Sequence, residues 1–186
     1  VPLGQPNIKG KKMIADIVVG LQHGDEAKGK VTHHLCSKGE YTHVLRFNGG
    51  GNAGHTIYHN GQKFITHYIP AGVFHGITSI IGNGCVLNVQ HFFNELSQLR
   101  KAGIDTSLVK IAKNCHIITR DHLEEDSRDQ KIGTTKKGTG PAYRNKYNRT
   151  GLRAKDALEL RPFLIDLYEE FFNNENNVQI LCEGAQ

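Results

Sequence analysis

Ile14-Ala15-Asp16-Ile17-Val18-Val19-Gly20 and, four residues on, Gly24-Asp25-Glu26-Ala27-Lys28-Gly29-Lys30 decide the fold. The first run is apolar and β-branched, which reads as a strand. The second is a glycine-framed loop, and a helix is expected to follow it from about Lys28 to Ser37, closing at Gly39. Strand, loop and helix in that order make the first unit of an α/β sheet. The spacing Gly24-x4-Gly29-Lys30 fits the first part of a phosphate-binding loop, where consecutive backbone N–H groups and a lysine cradle a nucleotide's phosphates. The loop then departs from that pattern. Val31 stands where a Ser or Thr hydroxyl would hold Mg²⁺, so a metal ligand must come from elsewhere, and Asp25 is the available hard oxygen. A carboxylate so near a phosphate is repelled unless a cation bridges them or it does proton chemistry. The loop is therefore reactive rather than merely adhesive.

Further along, a strand at 42–47 leads into Asn48-Gly49-Gly50-Gly51-Asn52-Ala53-Gly54-His55-Thr56. The turn pair Asn60-Gly61 between Ile57-Tyr58-His59 and residues 62–69 predicts a β-hairpin. Thr78 to Ile81 reads as a buried strand, ended by Gly82-Asn83-Gly84. Val89, Phe92, Phe93, Leu96 and Leu99 fall at helical spacing, with Asn88 as the cap and Gly103 as the stop. Residues 109–112 and 116–119 read as strands or edges, 121–130 as a charged exposed helix, and 131–153 as a loop rich in Gly, Lys and Arg. Residues 154–172 read as helical with an interruption at Pro162, and 178–182 as a short apolar strand. The expected architecture is α/β: a mostly parallel central sheet with flanking helices, a β-hairpin insert and a phosphate loop like that of P-loop NTPases. Residues 1–12, with Pro2, Gly4, Pro6 and Gly10, read as a flexible lead before a single nucleotide-binding domain over 13–186.

Composition narrows the partners. The 186 residues are 38% hydrophobic and 22% charged, enough to bury a core. No stretch approaches the ~20 apolar residues of a membrane span. Cys36, Cys85, Cys115 and Cys182 lie far apart with no C-x-x-C pair, which argues against a cysteine zinc site or a disulfide framework and for a reducing, cytoplasmic setting. The formal charge of +5 suits an anionic ligand, whether a nucleotide or nucleic acid.

Gly49-x-Gly51-x-x-Gly54 satisfies the dinucleotide fingerprint by letter, but that motif needs a following helix and a hairpin follows here. The loop is a ligand wall or a tight turn. His55 stands out among eleven histidines because it sits in this loop at the presumed ligand edge, where it can donate to a developing phosphate oxyanion. His55 and His59 are four apart, yet a hairpin puts them on no common helix face, and the remaining histidines, His33 and His75 among them, read as surface or packing residues. The basic segment, with Lys136, Lys137, Arg144, Lys146, Arg149 and Arg153 around Tyr143 and Tyr147, allows three readings: a solvated loop, a nucleic-acid patch, or an arginine clamp on a monophosphate. Its Gly133-Thr134-Thr135 and Gly138-Thr139-Gly140-Pro141 favour an ordered small-ligand loop.

Taken together, several segments resemble the adenylosuccinate synthetase family: residues 22–30, 52–56, 80–84, 132–135, 140–143, 149–153 and Glu183-Gly184-Ala185-Gln186. The resemblance implies a ligase of purine nucleotide biosynthesis that condenses IMP with L-aspartate using GTP, by way of a 6-phosphoryl-IMP intermediate. It implies that Asp25 takes the N1 proton of IMP and His55 donates to the departing phosphate. Mg²⁺ would be held by Asp25 and the Gly54 carbonyl. GTP would contact Gly24, Asp25, Glu26, Ala27, Lys28, Gly29 and Lys30, with Gly54, His55 and Thr56. IMP would contact Asp25 to Lys28, Asn52, Ala53, Gly54, His55, Thr135 and Gln186, and Arg149 would reach it from a neighbouring subunit, implying a homodimer. Neither nucleic acid nor membrane is an expected partner.

The chain departs from the family at His23, Ala27, Gly51, Lys137 and Thr150, where Trp, Gly, His, Arg and Arg are usual. Ala27 adds a methyl to a tight loop and is expected to need a negative φ. The family pattern also continues past Gln186 with the aspartate loop and the guanine-selecting segment, so the chain reads as part of a longer protein. The alternatives are a phage-type synthetase joining aspartate to dGMP with ATP, against which Asp25 argues, and a nucleotide-binding piece without turnover.

Overall fold

The computed structural model describes residues 13–22, 24–128, 133–173 and 177–185. Six strands form a parallel sheet: β1 (Met13–Val18), β2 (His43–Arg46), β5 (Thr78–Ile81), β7 (Val109–Ala112), β9 (Leu164–Ile165) and β10 (Val178–Glu183), in the order β1-β10-β2-β5-β7-β9. The last strand in sequence thus lies between the first two. β3 (His55–His59) and β4 (Gln62–Thr66) form an antiparallel hairpin, and β6 (Val86–Leu87) pairs with β8 (His116–Ile117). The helices are α1 (Lys28–Cys36), α2 (Val89–Lys101), α3 (Arg120–Arg128), α4 (Thr139–Tyr147) and α5 (Leu167–Phe172). The expected α/β sheet with a hairpin insert is what the chain adopts.

Local signals account for most of this. On α2 the apolar stripe buries Phe92, Leu96 and Leu99, each contributing on the order of 1.5–3 kcal/mol. Asn88 caps it by accepting from the His91 N–H at 3.0 Å, and Gly103 leaves it at φ 78°. Asn60-Gly61 makes the hairpin turn, both residues having positive φ.

Two segments differ from expectation. Within 131–153, residues 139–147 are helical. Gly138 adopts a left-handed φ of 71° and donates its N–H to Asp126 Oδ2 at 2.7 Å, while Pro141 sits in the first turn, where a missing N–H costs nothing. Residues 154–172 are not one helix. Short 3-10 turns at Ala154–Asp156 and Leu158–Phe163 precede β9, and Asp166 then caps α5 by accepting from the Tyr168 N–H at 2.8 Å. Pro162 has no N–H to give a regular helix, and pairing of Leu164 and Ile165 with β7 wins the segment for the sheet. Cys36, Cys85, Cys115 and Cys182 are free thiols, the first three buried. Among the described residues no helix is long and apolar enough to cross a membrane.

Candidate functional site

Parallel pairing aligns Val18, Glu183, Arg46 and Ile81 as one row at the carboxyl ends of four adjacent strands. Ligands of open α/β sheets collect at that edge. Here a cleft of about 420 Å³ opens over it, lined by Gly24 to Lys30, Asn52 to Thr56, Tyr58 and Ala185. All the residues expected in the phosphate loop and in the 52–56 segment therefore face one space. Thr135 and Arg149 are exposed and do not line it. Gln186 lies outside the described residues, although its neighbour Ala185 is in the wall.

The loop is held in an unusual backbone. Gly24, Asp25 and Ala27 all have positive φ, at 125°, 58° and 60°. The expectation of a negative φ at Ala27 is thus overturned: Ala27 is the left-handed residue that opens α1, with no side-chain cap. For a residue with a Cβ this conformation costs about 1–2 kcal/mol. Glu26 braces the strained turn from inside. It accepts the Gln22 N–H at 2.9 Å and the Gly24 N–H at 3.3 Å, and its other oxygen meets Lys28 Nζ at 2.5 Å. The Lys28 ammonium holds its carboxyl down at about 2. Lys28, Gly29 and Lys30, the first turn of α1, line the cleft, and the N-terminus of a helix beside lysines attracts anions. Asp25 is exposed and has no hydrogen-bond or ion-pair partner among the described residues.

Opposite the loop, His55 begins β3 and is buried. Its Nδ1 lies 2.5 Å from Glu183 Oε1, and its Nε2 lies 3.2 Å from the Ala185 carbonyl. Both partners are acceptors, so a proton on either ring nitrogen has an oxygen to bond to. Glu183 is fully buried, with Arg46 Nη1 at 3.5 Å and the Ala71 N–H at 2.9 Å. Burial alone would raise its carboxyl, yet the hydrogen bond to His55, the Arg46 charge and the Ala71 amide together hold it below the ordinary value. Gly29 lies against His55: a Cβ on Gly29 would fall 2.6 Å from His55 Cβ. The first turn of α1 and the His55 side chain are thus closely packed.

Glu183 as the anchor of His55 was not foreseen. The available signal was a single buried acid closing an apolar strand, Val178 to Cys182. The basic segment, in turn, is largely spent inside the protein. Arg144 pairs with Glu125 (Nη2 to Oε2 at 2.7 Å), Lys146 Nζ donates to the Asn83 carbonyl at 2.5 Å, and Arg153 donates to Asn114 Oδ1 at 3.4 Å. Lys137 instead lines a second hollow of about 300 Å³ with Gly51, Tyr68 and Glu95. Tyr68 explains the small residue at position 51, because a Cβ there would meet its ring and hydroxyl.

Could the cleft hold Mg²⁺? The donor set suits a hard cation: an unpartnered carboxylate on Asp25 and backbone carbonyls of a glycine-rich wall that includes Gly54.

Comparison with known proteins follows the same lines. Adenylosuccinate synthetases from Fusobacterium nucleatum and Levilactobacillus brevis are 43% identical to this chain over 157 and 163 residues, covering 81% and 84% of it. The chain spans a little over a third of these relatives' length, 36% and 38%. The structure of fully ligated adenylosuccinate synthetase from Plasmodium falciparum matches with a TM-score of 0.80 at 28% identity, over 93% of this chain and 51% of that one. The succinoaminodeoxyadenylate synthetase of cyanophage S-2L, bound to dGMP and dATP, shares the fold with a TM-score of 0.73 at 19% identity, over 94% and 52% of the two chains. The family model for adenylosuccinate synthetase matches residues 17–186, and the chain belongs to that family.

Proposed function

We propose that this chain carries the phosphoryl-transfer centre of an adenylosuccinate synthetase, acting in purine nucleotide biosynthesis. The observation that supports this reading best is the His55–Glu183 pair facing an unpartnered Asp25 and a phosphate loop across one cleft. Asp25 accepts the N1 proton of IMP, and O6 attacks the γ-phosphorus of GTP. An O6–P bond forms as the β,γ-bridging P–O bond breaks, with GDP leaving. His55, held as a donor by Glu183, hydrogen-bonds the phosphoryl oxygens as charge builds on them. The amine of L-aspartate then displaces phosphate from C6.

The loop amides with Lys28 and Lys30 hold the phosphates of GTP, joined by Gly54, His55 and Thr56. Asn52, Ala53, Thr135 and Gln186 contact IMP, and Arg149 reaches it from the partner in a cytoplasmic homodimer. Asp25 and the Gly54 carbonyl would hold Mg²⁺, which would supply charge neutralisation for the phosphates.

The test is phosphate release by the full-length protein. Release is expected only with IMP, GTP, L-aspartate and Mg²⁺ together, and Asp25→Asn is expected to lower it by roughly 10²- to 10⁴-fold. Release with dGMP and ATP but not with IMP and GTP would move the assignment to the phage-type reaction. Nucleotide binding without release from either pair would leave a binding module.

A further inference from the structure

His33 on α1, His59 at the end of β3 and His75 at the end of the 3-10 turn Ala71–His75 converge on one point outside the cleft. One ligand nitrogen from each lies within 4.8 Å of the other two. His33 Nε2 and His59 Nδ1 are 3.3 Å apart. The His33 and His75 ring centroids are 4.4 Å apart, and Phe74 closes the cluster 5.3 Å from the His59 centroid. His75 Nε2 is buried with no hydrogen-bond partner.

Zinc–imidazole bonds of about 2.0–2.1 Å at tetrahedral angles place ligand nitrogens about 3.3 Å apart. The His33–His59 separation already has that value, and a closure of at most about 1.5 Å brings in the third ring. The donors are three imidazoles and no carboxylate, which suits borderline transition ions and not oxygen-seeking Mg²⁺ or Ca²⁺. We propose that His33, His59 and His75 form a three-histidine site for a late first-row divalent ion, Zn²⁺ or a close relative, with solvent as its fourth ligand. Burial, reinforced by the neighbouring rings, pushes His33 down to about 4 and holds His75 below its ordinary value, leaving both in the neutral form that ligates.

Such an ion would pin together three elements that serve the cleft from behind. α1 begins in the phosphate loop and β3 begins at His55. The 3-10 turn begins at Ala71, whose N–H holds Glu183. The site is thus a structural clasp on the scaffold of the phosphate centre, separate from the cleft cation.

The test uses the full-length, untagged protein, stripped with chelator and titrated with Co²⁺ alone, without nucleotide or Mg²⁺. One Co²⁺ per chain is expected, with the visible absorption of a tetrahedral centre, displaced by Zn²⁺. His59→Gln and His75→Ala are each expected to weaken binding at least tenfold and to abolish the rise in thermal midpoint that Zn²⁺ produces. The exposed α1 neighbour change His34→Ala is expected to leave both unaltered. Circular dichroism checks that each variant is folded. Absence of stoichiometric binding, binding without tetrahedral absorption, or binding undiminished in folded His59→Gln would overturn the proposal.

Discussion

Glu183 touches no substrate in the proposed reaction, yet it orients the His55 ring through Nδ1. With a buried carboxylate 2.5 Å from Nδ1, the ring cannot turn or change tautomer without stranding a charge. Glu183→Gln keeps the shape and removes that anchor. In the full-length enzyme it is expected to lower kcat by about 10²-fold or more while leaving KM for the nucleotides nearly unchanged, by analogy with acid–histidine pairs elsewhere. The same residue makes a pH prediction. Its carboxyl lies below the ordinary 4.5 in the folded chain and takes the ordinary value when unfolded. The stabilisation is therefore complete above about pH 4.5 and is lost as pH falls through the folded value, because the unfolded chain then binds more protons. The thermal midpoint of wild type is expected to drop more steeply below pH 4.5 than that of Glu183→Gln. Ala27 is the second informative residue. At φ 60° it carries a Cβ where glycine is at ease, so Ala27→Gly is expected to stabilise by about 0.5–1 kcal/mol in a denaturant titration. No gain, or a loss, would mean the loop relaxes that strain elsewhere.

Between elements, the decisive contact is α1 against β3. Gly29 lets the first turn of α1 approach the side chain of His55. Gly29→Ala would place a methyl 2.6 Å from His55 Cβ, closer than such atoms come, so one element must shift. We expect a stability cost of about 1–3 kcal/mol and a disproportionate loss of phosphate release, measured as kcat against thermal midpoint on one preparation. A second inter-element device is Glu95 on α2. Its carboxylate accepts from the backbone N–H groups of His67, Tyr68 and Ile69 at 2.8–3.3 Å, satisfying the chain as it leaves the hairpin. These two cases show what could be read in advance. The glycine of the phosphate loop, the hairpin turn and the stripe of α2 are local patterns, and local physics fixes them. Glu95, Glu183 and the histidine cluster depend on partners 16 to 137 residues away, and nothing in a short window marks them. α4 was a different miss: Gly138 and Pro141 do signal a helix start, but the basic, glycine-rich composition around them masked it.

At the scale of the whole molecule, the sheet ends in an exposed apolar edge. Among the described residues β1 pairs only with β10, and Met13, Ile17, Val19 and Leu21 are 45%, 62%, 59% and 98% exposed. An edge strand with free backbone groups and a hydrophobic surface is a template for other chains, and proteins ordinarily blunt it with charge or cover it. The chain spans little more than a third of the length of the curated relatives it matches. A polypeptide limited to these 186 residues is expected to self-associate through β1. Sedimentation should give a weight-average mass above 20.7 kDa that rises with concentration. Ile17→Lys places a charge on the edge and is expected to shift the distribution back toward monomer without disturbing the cleft, since Ile17 does not line it. A polypeptide of these 186 residues that stays monomeric to about 100 µM would mean that the edge does not template association.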